Sequence, residues 1–208
     1  NLIIGNFHAE LLRLPLGFGY KVRWTNMWSV GRDYIFNPST IPAGQPGGNA
    51  TRRDRTIYDW TLDNILTWKR TINENHNFDF TFLFNVEARD DWTSNIQNEG
   101  FQPNQNLGFG GIGSGTNPIV NNNDTRSTGT ALMGRLNYRL LDRYLFTVSY
   151  RRDGYSAFGE NNPHAYFPAA AVGWILSEEP FFKADFINSL KLRLSWGING
   201  NRSIGTYS

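Results

Sequence analysis

The chain has 208 residues, a net charge of +2, 15% aromatic residues and no cysteine. The missing cysteines exclude a disulfide scaffold and a thiolate metal site, and the scattered charges of both signs form no basic cluster suited to nucleic acid. No run approaches the roughly 20 apolar residues of a membrane helix, although strands that cross a membrane alternate and score as polar on average.

Taken in chain order, the segments show a period of two, which places successive side chains on opposite faces of a strand. Residues 3–13 form a weak first strand. In residues 18–30, Phe18, Tyr20, Val22, Trp24, Trp28 and Val30 alternate with Lys21, Arg23, Thr25 and Ser29. Residues 58–70 are weaker, because Asn64 interrupts the apolar series Trp60, Leu62, Leu66 and Trp68. The clearest strand is 78–89: Phe78, Phe80, Phe82, Phe84, Val86 and Ala88 share one face, and Asp79, Thr81, Leu83, Asn85, Glu87 and Arg89 lie on the other.

The hairpin 131–151 follows the same rule. Leu132, Gly134, Leu136, Tyr138 and Leu140, then Tyr144, Phe146, Val148 and Tyr150, make an uncharged face, with Arg135, Arg139 and Arg151 opposite. Ala170, Val172, Trp174 and Leu176 mark a further face, as do Leu192, Leu194 and Trp196 beside Lys191 and Arg193.

About eight strands result, joined by connectors of alternating length. Short turns are expected at 14–17, 73–76 and 140–143, and a longer connection with a small helical turn at 177–189. Long Gly-, Asn- and Pro-rich loops are expected at 35–55, 95–127 and 156–168. Short turns on one rim and long loops on the other are the habit of outer-membrane barrels. An arginine facing lipid near the midplane costs roughly 2–4 kcal/mol, so Arg135, Arg139, Arg151 and Arg193 are assigned to a wet lumen. The competing reading is a non-transport surface β-sandwich, an adhesin or lectin, whose strands average about 5–6 residues; several alternations here persist for about ten, as a tilted membrane strand requires.

Catalytic chemistry finds no foothold. His8, His76 and His164 lie far apart without metal-ligand spacing. Glu87, Asp90 and Asp91 read as a solvated strand rim rather than a hydrolytic pair. The glycine-rich stretch 108–115 lacks the Lys-Ser/Thr of a phosphate loop and reads as a flexible loop. Asn121, Asn122, Asn123 and Asp124 lack the calcium-loop pattern. No catalytic, cofactor-binding or metal-binding residue is assigned, substrate-binding residues stay unassigned, and no enzyme activity is expected.

The blocks GRLNY (134–138), RYL (143–145), RRDG (151–154), FG (158–159), FP (167–168), GW (173–174) and SEEPF (177–181) occur in this order. LKLRLSWGINGNRSIG (190–205) follows, and Asn64, Leu66, Trp68 and His76 precede them. This series resembles the SusC/RagA family of TonB-linked outer-membrane proteins of the Bacteroidetes. It is dense from residue 58 to 207, apart from 95–127, and general before that. Ala157 and Ala169 are small departures, standing where the family often has Arg and Ser.

The resemblance implies an all-β fold, an antiparallel transmembrane β-barrel segment of about eight strands from a larger barrel of 22. Residues 1–208 are then expected to be part of a single barrel domain, with the plug domain and signal peptide outside this chain. It further implies an outer-membrane nutrient importer that takes up oligosaccharides or peptides without breaking a bond or using a cofactor. The implied partners are a SusD-like surface lipoprotein, the TonB complex, outer-membrane lipid and the ligand, with no nucleic acid. Tyr155, Phe158, Tyr166 and Phe101 are loop aromatics that could stack on sugars or contact the lid; loop packing is the favoured reading for them.

Overall fold

The computed structural model describes residues 1–101, 105–156, 158, 163–183 and 186–200. Ala157, Gly159 and the residues beyond 200, which carry part of the FG and LKLR blocks, lie outside the described residues. Eight strands follow one another in a single sheet, each bonded to its neighbours in sequence. They are β1 (Leu2–Leu14), β2 (Phe18–Asn37), β3 (Asn49–Ile72), β4 (His76–Glu99), β5 (Ile119–Leu140), β6 (Tyr144–Tyr155), β7 (His164–Ile175) and β8 (Lys191–Gly197). This is a partial β-barrel sheet. A sandwich would need a second sheet to cover the apolar face, and the described residues form only one.

The chain divides into two compact units. One gathers Asn1–Gly5, Asn26–Trp60 and Ala88–Ser127, and the other Asn6–Thr25, Thr61–Glu87 and Thr128–Ser208. In the second unit the register places Leu136 opposite Val148 and Tyr138 opposite Phe146, and continues Val148 to Ala170 and Phe146 to Val172. Val172 then pairs with Leu194, and Ala170 with Trp196. The uncharged residues of four strands therefore share one face, and they are solvent-accessible: Val148 is 54% exposed and Phe146 44%. Large apolar side chains left open in alternation are the reverse of a soluble core, where they would be covered.

The turns on one rim are tight, as expected. Asn73 and Glu74, and again Leu141 and Asp142, adopt positive φ, the paired left-handed conformation whose twist matches that of hairpin strands, within three-residue connections. At Gly17 (φ +87°) an added Cβ would lie 2.1 Å from the Lys69 carbonyl oxygen, so only glycine fits. Pro168 stands inside β7 opposite Tyr150. Its carbonyl accepts from the Ile198 N–H, so its missing N–H faces the β8 side, and the ladder with β8 ends at the next pair, Ala169 with Gly197.

The long connectors are shorter than expected. β2 runs on to Asn37 and β3 begins at Asn49; β4 reaches Glu99 and β5 starts at Ile119; β7 begins at His164. The apolar alternation fades there while backbone pairing continues, so a hydrophobicity pattern loses the strand before the hydrogen bonds do. The stretch 108–115 is also ordered: Gln105–Ser114 forms 3-10 turns. Ile112 buries with Ala50 and Phe101 in a small core flanked by Phe36 and Ile96, and Phe109 packs on Tyr34 at 5.5 Å.

Asn64, unexplained by the alternation, has a partner: the Tyr20 hydroxyl donates to its Oδ1 at 2.6 Å. Each polar group satisfies the other on an otherwise apolar face, where an unmatched one is costly. Tyr20→Phe is expected to lower the stability of the full-length barrel by roughly 1–3 kcal/mol, and Tyr20→Phe with Asn64→Leu to recover most of it. Urea unfolding of the purified protein reads both changes.

Candidate functional site: the polar wall

Opposite the apolar face, the odd-numbered side chains of β2, β3 and β4 are tied together by charge. In the second unit the Arg23 guanidinium donates to Asp63 Oδ2 from Nε (2.9 Å) and Nη2 (2.6 Å). The Asn85 amide donates to Asp63 Oδ1 at 2.7 Å. Asp63 is only 5% exposed, so these bonds replace its hydration. Lys69 and Asp79 pair at 3.2 Å nearby. In the first unit Arg89 contacts Asp59 at 3.3 Å, and Arg55 Nε donates to Asp91 Oδ1 at 2.9 Å. Period two puts both partners of each pair on the same face, which is why the pairs recur.

Each unit holds an open cleft. The one in the second unit, about 640 Å³, is bordered by Lys69, Asp79, Asn137, Arg139, Lys191 and Arg193. Its cations outnumber its carboxylates. Lys69 is matched by Asp79, and Arg139 Nε by Asp142 at 3.1 Å, whereas Lys191 and Arg193 have no ion pair among the described residues. The cleft in the first unit, about 800 Å³, is bordered by Arg53, Thr93, Asn95, Gln97, Asn121 and Asn123. Side-chain amides both donate and accept, and Asn95 Oδ1 is buried without a hydrogen-bond partner. Such a surface can bind neutral polar groups, hydroxyls or peptide amides.

The four arginines assigned to the lumen all fall on this polar face by register: Arg135 lies opposite Ser149, Arg139 opposite Leu145, and Arg151 opposite Met133, while Arg193 lies opposite Gly173. Arg139 and Arg193 border the second unit's cleft. Arg151 is turned to Asp153, at 2.6 Å.

The loop aromatics do not assemble into a stacking platform. Phe101 is 3% exposed and edge-on to Phe36 at 5.7 Å. Tyr155 and Phe158 pack on one another at 5.6 Å. Tyr166 is in β7, not a loop, on the apolar face beside Tyr150 at 6.1 Å. Each of the four has an aromatic neighbour.

The discarded chemistries stay apart too. Asp90 pairs with Arg126, whereas its neighbour Asp91 turns to the opposite face and Arg55, so the two carboxylates do not converge. Residues 121–124 lie in β5, where successive side chains alternate between faces. His76 Nδ1 bonds the Tyr138 hydroxyl at 2.8 Å. No group of three metal-binding side chains occurs among the described residues.

One cluster was not visible in the sequence. Glu179, in the SEEPF block, accepts from the Tyr144 hydroxyl (2.7 Å), the Trp174 indole N–H (2.9 Å) and Arg143 Nη1 (3.1 Å). The RYL, GW and SEEPF blocks thus meet at one carboxylate, which ties the 140–143 turn to the end of β7. The hydrogen bond from Tyr144, reinforced by Trp174 and Arg143, holds the Glu179 carboxyl below its ordinary value of 4.5. A depressed folded value means that this stabilisation is complete above 4.5 and is lost as the pH falls below it. Acid titration of the Trp174 fluorescence in the full-length protein is expected to show this loss, and Glu179→Gln to flatten the acid limb.

The sequence matches the family described as TonB dependent receptor-like, beta-barrel, over residues 5–205. It is 31% identical over 210 residues to TonB-dependent receptor P39 of Formosa agariphila, covering 94% of this chain and 18% of that protein. To TonB-dependent receptor SusC of Bacteroides thetaiotaomicron it is 50% identical over 82 residues, 39% of this chain and 8% of that protein. The chain therefore spans about a fifth or less of the curated relatives it matches. Among solved structures, that of the RagAB peptide transporter superposes with a TM-score of 0.86 at 19% identity, over 98% of this chain and 23% of that one. The RagAB peptide importer in its open-open state gives 0.78, again at 19% identity.

Proposed function

This chain belongs to the TonB-dependent receptor β-barrel family, with SusC/RagA-type relatives, and from that premise we propose that it is part of the wall of an outer-membrane nutrient importer. Residues 1–208 are one stretch of a single barrel domain in this reading. The observation that carries it is the two-faced sheet: an exposed apolar face backed by a face of ion pairs and amides. From Phe78 to Ala88 the strand advances roughly 34 Å at ~3.4 Å per residue. At a tilt near 45° this covers roughly 24 Å of depth, in keeping with an apolar band of about 25 Å. Rings cluster toward one end of that band: Phe78 stacks on Tyr138 at 4.8 Å and Tyr138 on Phe146 at 5.9 Å. This is the position of an interfacial aromatic girdle.

The cargo passes along the polar face without covalent change. It is an oligosaccharide or a peptide, delivered by a SusD-like surface lipoprotein and admitted when the TonB complex acts on the rest of the receptor. The amide-bordered cleft of the first unit supports a neutral polar cargo, since Asn95, Gln97, Asn121 and Asn123 match hydroxyls and amides equally. Relatives named SusC and RagAB support the lipoprotein partner, and the peptide-transporter description of RagAB supports peptides as the second cargo class.

Deleting the gene is expected to abolish growth on one oligosaccharide or peptide source, and the full-length gene to restore it. Complementation with Asn95→Leu, Gln97→Leu is expected to raise the half-saturating cargo concentration roughly tenfold, as the loss of one or two hydrogen bonds predicts, with normal amounts of folded barrel. Unimpaired growth of the deletion strain on every such source would refute the import reading.

A further inference from the structure

The uncharged face of β6 and β7 ends at a sharp chemical boundary. Tyr150 (52% exposed) and Tyr166 (50%) stack there. The next residues of the same face are Arg152 on β6 and His164 on β7: Arg152 lies opposite Tyr166 and Leu132, and His164 opposite Gly154. Arg152 Nη2 and His164 Nε2 are 2.7 Å apart. A guanidinium only donates, so the imidazole accepts at Nε2 and carries its proton on Nδ1. The pair therefore keeps one full positive charge, several free N–H donors and no acceptor.

No carboxylate among the described residues neutralises it. The adjacent Asp153 belongs to the other face, bound to Arg151, and Arg152 has no ion pair among the described residues. Its Nε is buried without a hydrogen-bond partner. Gly154, the next position on this face, leaves the imidazole room: a Cβ there would lie 3.2 Å from His164 Cδ2 and 3.0 Å from Thr130 Oγ1.

We propose that Arg152 and His164 form a binding site for the phosphoryl group of an outer-leaflet lipid, seated just beyond the Tyr150–Tyr166 pair. The inference rests on the outer-membrane reading above. Two residues past the tyrosines is roughly 7 Å along the strand, and there the uncharged side chains of this face give way to a cation. A planar guanidinium matches a phosphoryl group with two parallel hydrogen bonds, and the tyrosine rings offer the acyl chains an apolar surface immediately below.

The test is native mass spectrometry of the full-length receptor in neutral detergent, titrated with diphosphoryl lipid A, with the same lipid after dephosphorylation, and with inorganic phosphate. The wild type is expected to retain the diphosphoryl lipid selectively. Arg152→Ala and His164→Ala are each expected to weaken retention roughly tenfold, the loss of one or two charge-assisted hydrogen bonds. Arg126→Ala, which removes an arginine already paired with Asp90, leaves retention unchanged. Equal retention by both variants, or retention indifferent to phosphorylation, would overturn the site. Displacement of the lipid by equimolar inorganic phosphate would overturn the lipid as its occupant. Both variants must show the wild-type heat-modifiable gel shift; a wild-type receptor absent from outer-membrane fractions would instead overturn the reading on which the site rests.

Discussion

In the full-length receptor, Val148→Arg is expected to eliminate the folded barrel from outer-membrane fractions, while Ser149→Arg assembles. The two positions are adjacent in β6 but face opposite ways. Val148 is 54% exposed between Leu136 and Ala170 on the uncharged face. A charge there costs roughly 2–4 kcal/mol in the mature barrel, and more during insertion, when no neighbour can shield it. Ser149 lies opposite Arg135 on the polar face. A second arginine there meets like-charge repulsion of no more than about 1 kcal/mol, damped by water and salt. Ser149→Glu, which faces Arg135 with the opposite charge, removes even that. Heat-modifiable mobility of outer-membrane fractions reads all three variants. Equal assembly of Val148→Arg and Ser149→Arg would refute the lipid-facing assignment.

The second large effect is expected at Asp63. Its carboxylate is the shared acceptor of Arg23 and Asn85 and joins β2, β3 and β4 across the polar face. Asp63→Ala strands a buried amide and removes the acceptor from a guanidinium. Breaking a fully buried pair costs about 3–5 kcal/mol. The Arg23 side chain is 54% exposed and regains water, so the expected loss is nearer 2 kcal/mol. Asp63→Asn keeps an acceptor for one partner and is expected to lose about half as much. Both should appear as a lower urea midpoint with an unchanged slope, because the same surface is exposed on unfolding. An unaltered midpoint in Asp63→Ala would mean that the wall gains nothing from its ion pairs.

These expectations differ in how far sequence reasoning could have reached them. The Val148 and Ser149 assignment follows from a period of two in residues 144–151, and the register agrees across four strands. The Asp63 cluster needed the register of β2 on β3 and of β3 on β4, which no local pattern encodes. Asn64 is the clearest case: it interrupts an apolar series, and only the pairing of β2 with β3 sets the Tyr20 hydroxyl beside it. The long connectors failed for another reason. Hydrophobicity marks where a strand meets an apolar medium, whereas backbone bonding needs none, so β4 continues eleven residues past Ala88, to Glu99, with little apolar signal.

The sequence by itself determined the strands, their two faces, the alternation of turn lengths and the family, because each rests on local period, turn chemistry or ordered motif blocks. Only the tertiary structure decided which polar groups meet. Glu179 draws together three blocks up to 36 residues apart, Asp63 serves two strands at once, and Arg152 lies beside His164 without a counter-charge among the described residues. Such meetings depend on pairing register, and a slip of one residue would turn each side chain to the other face.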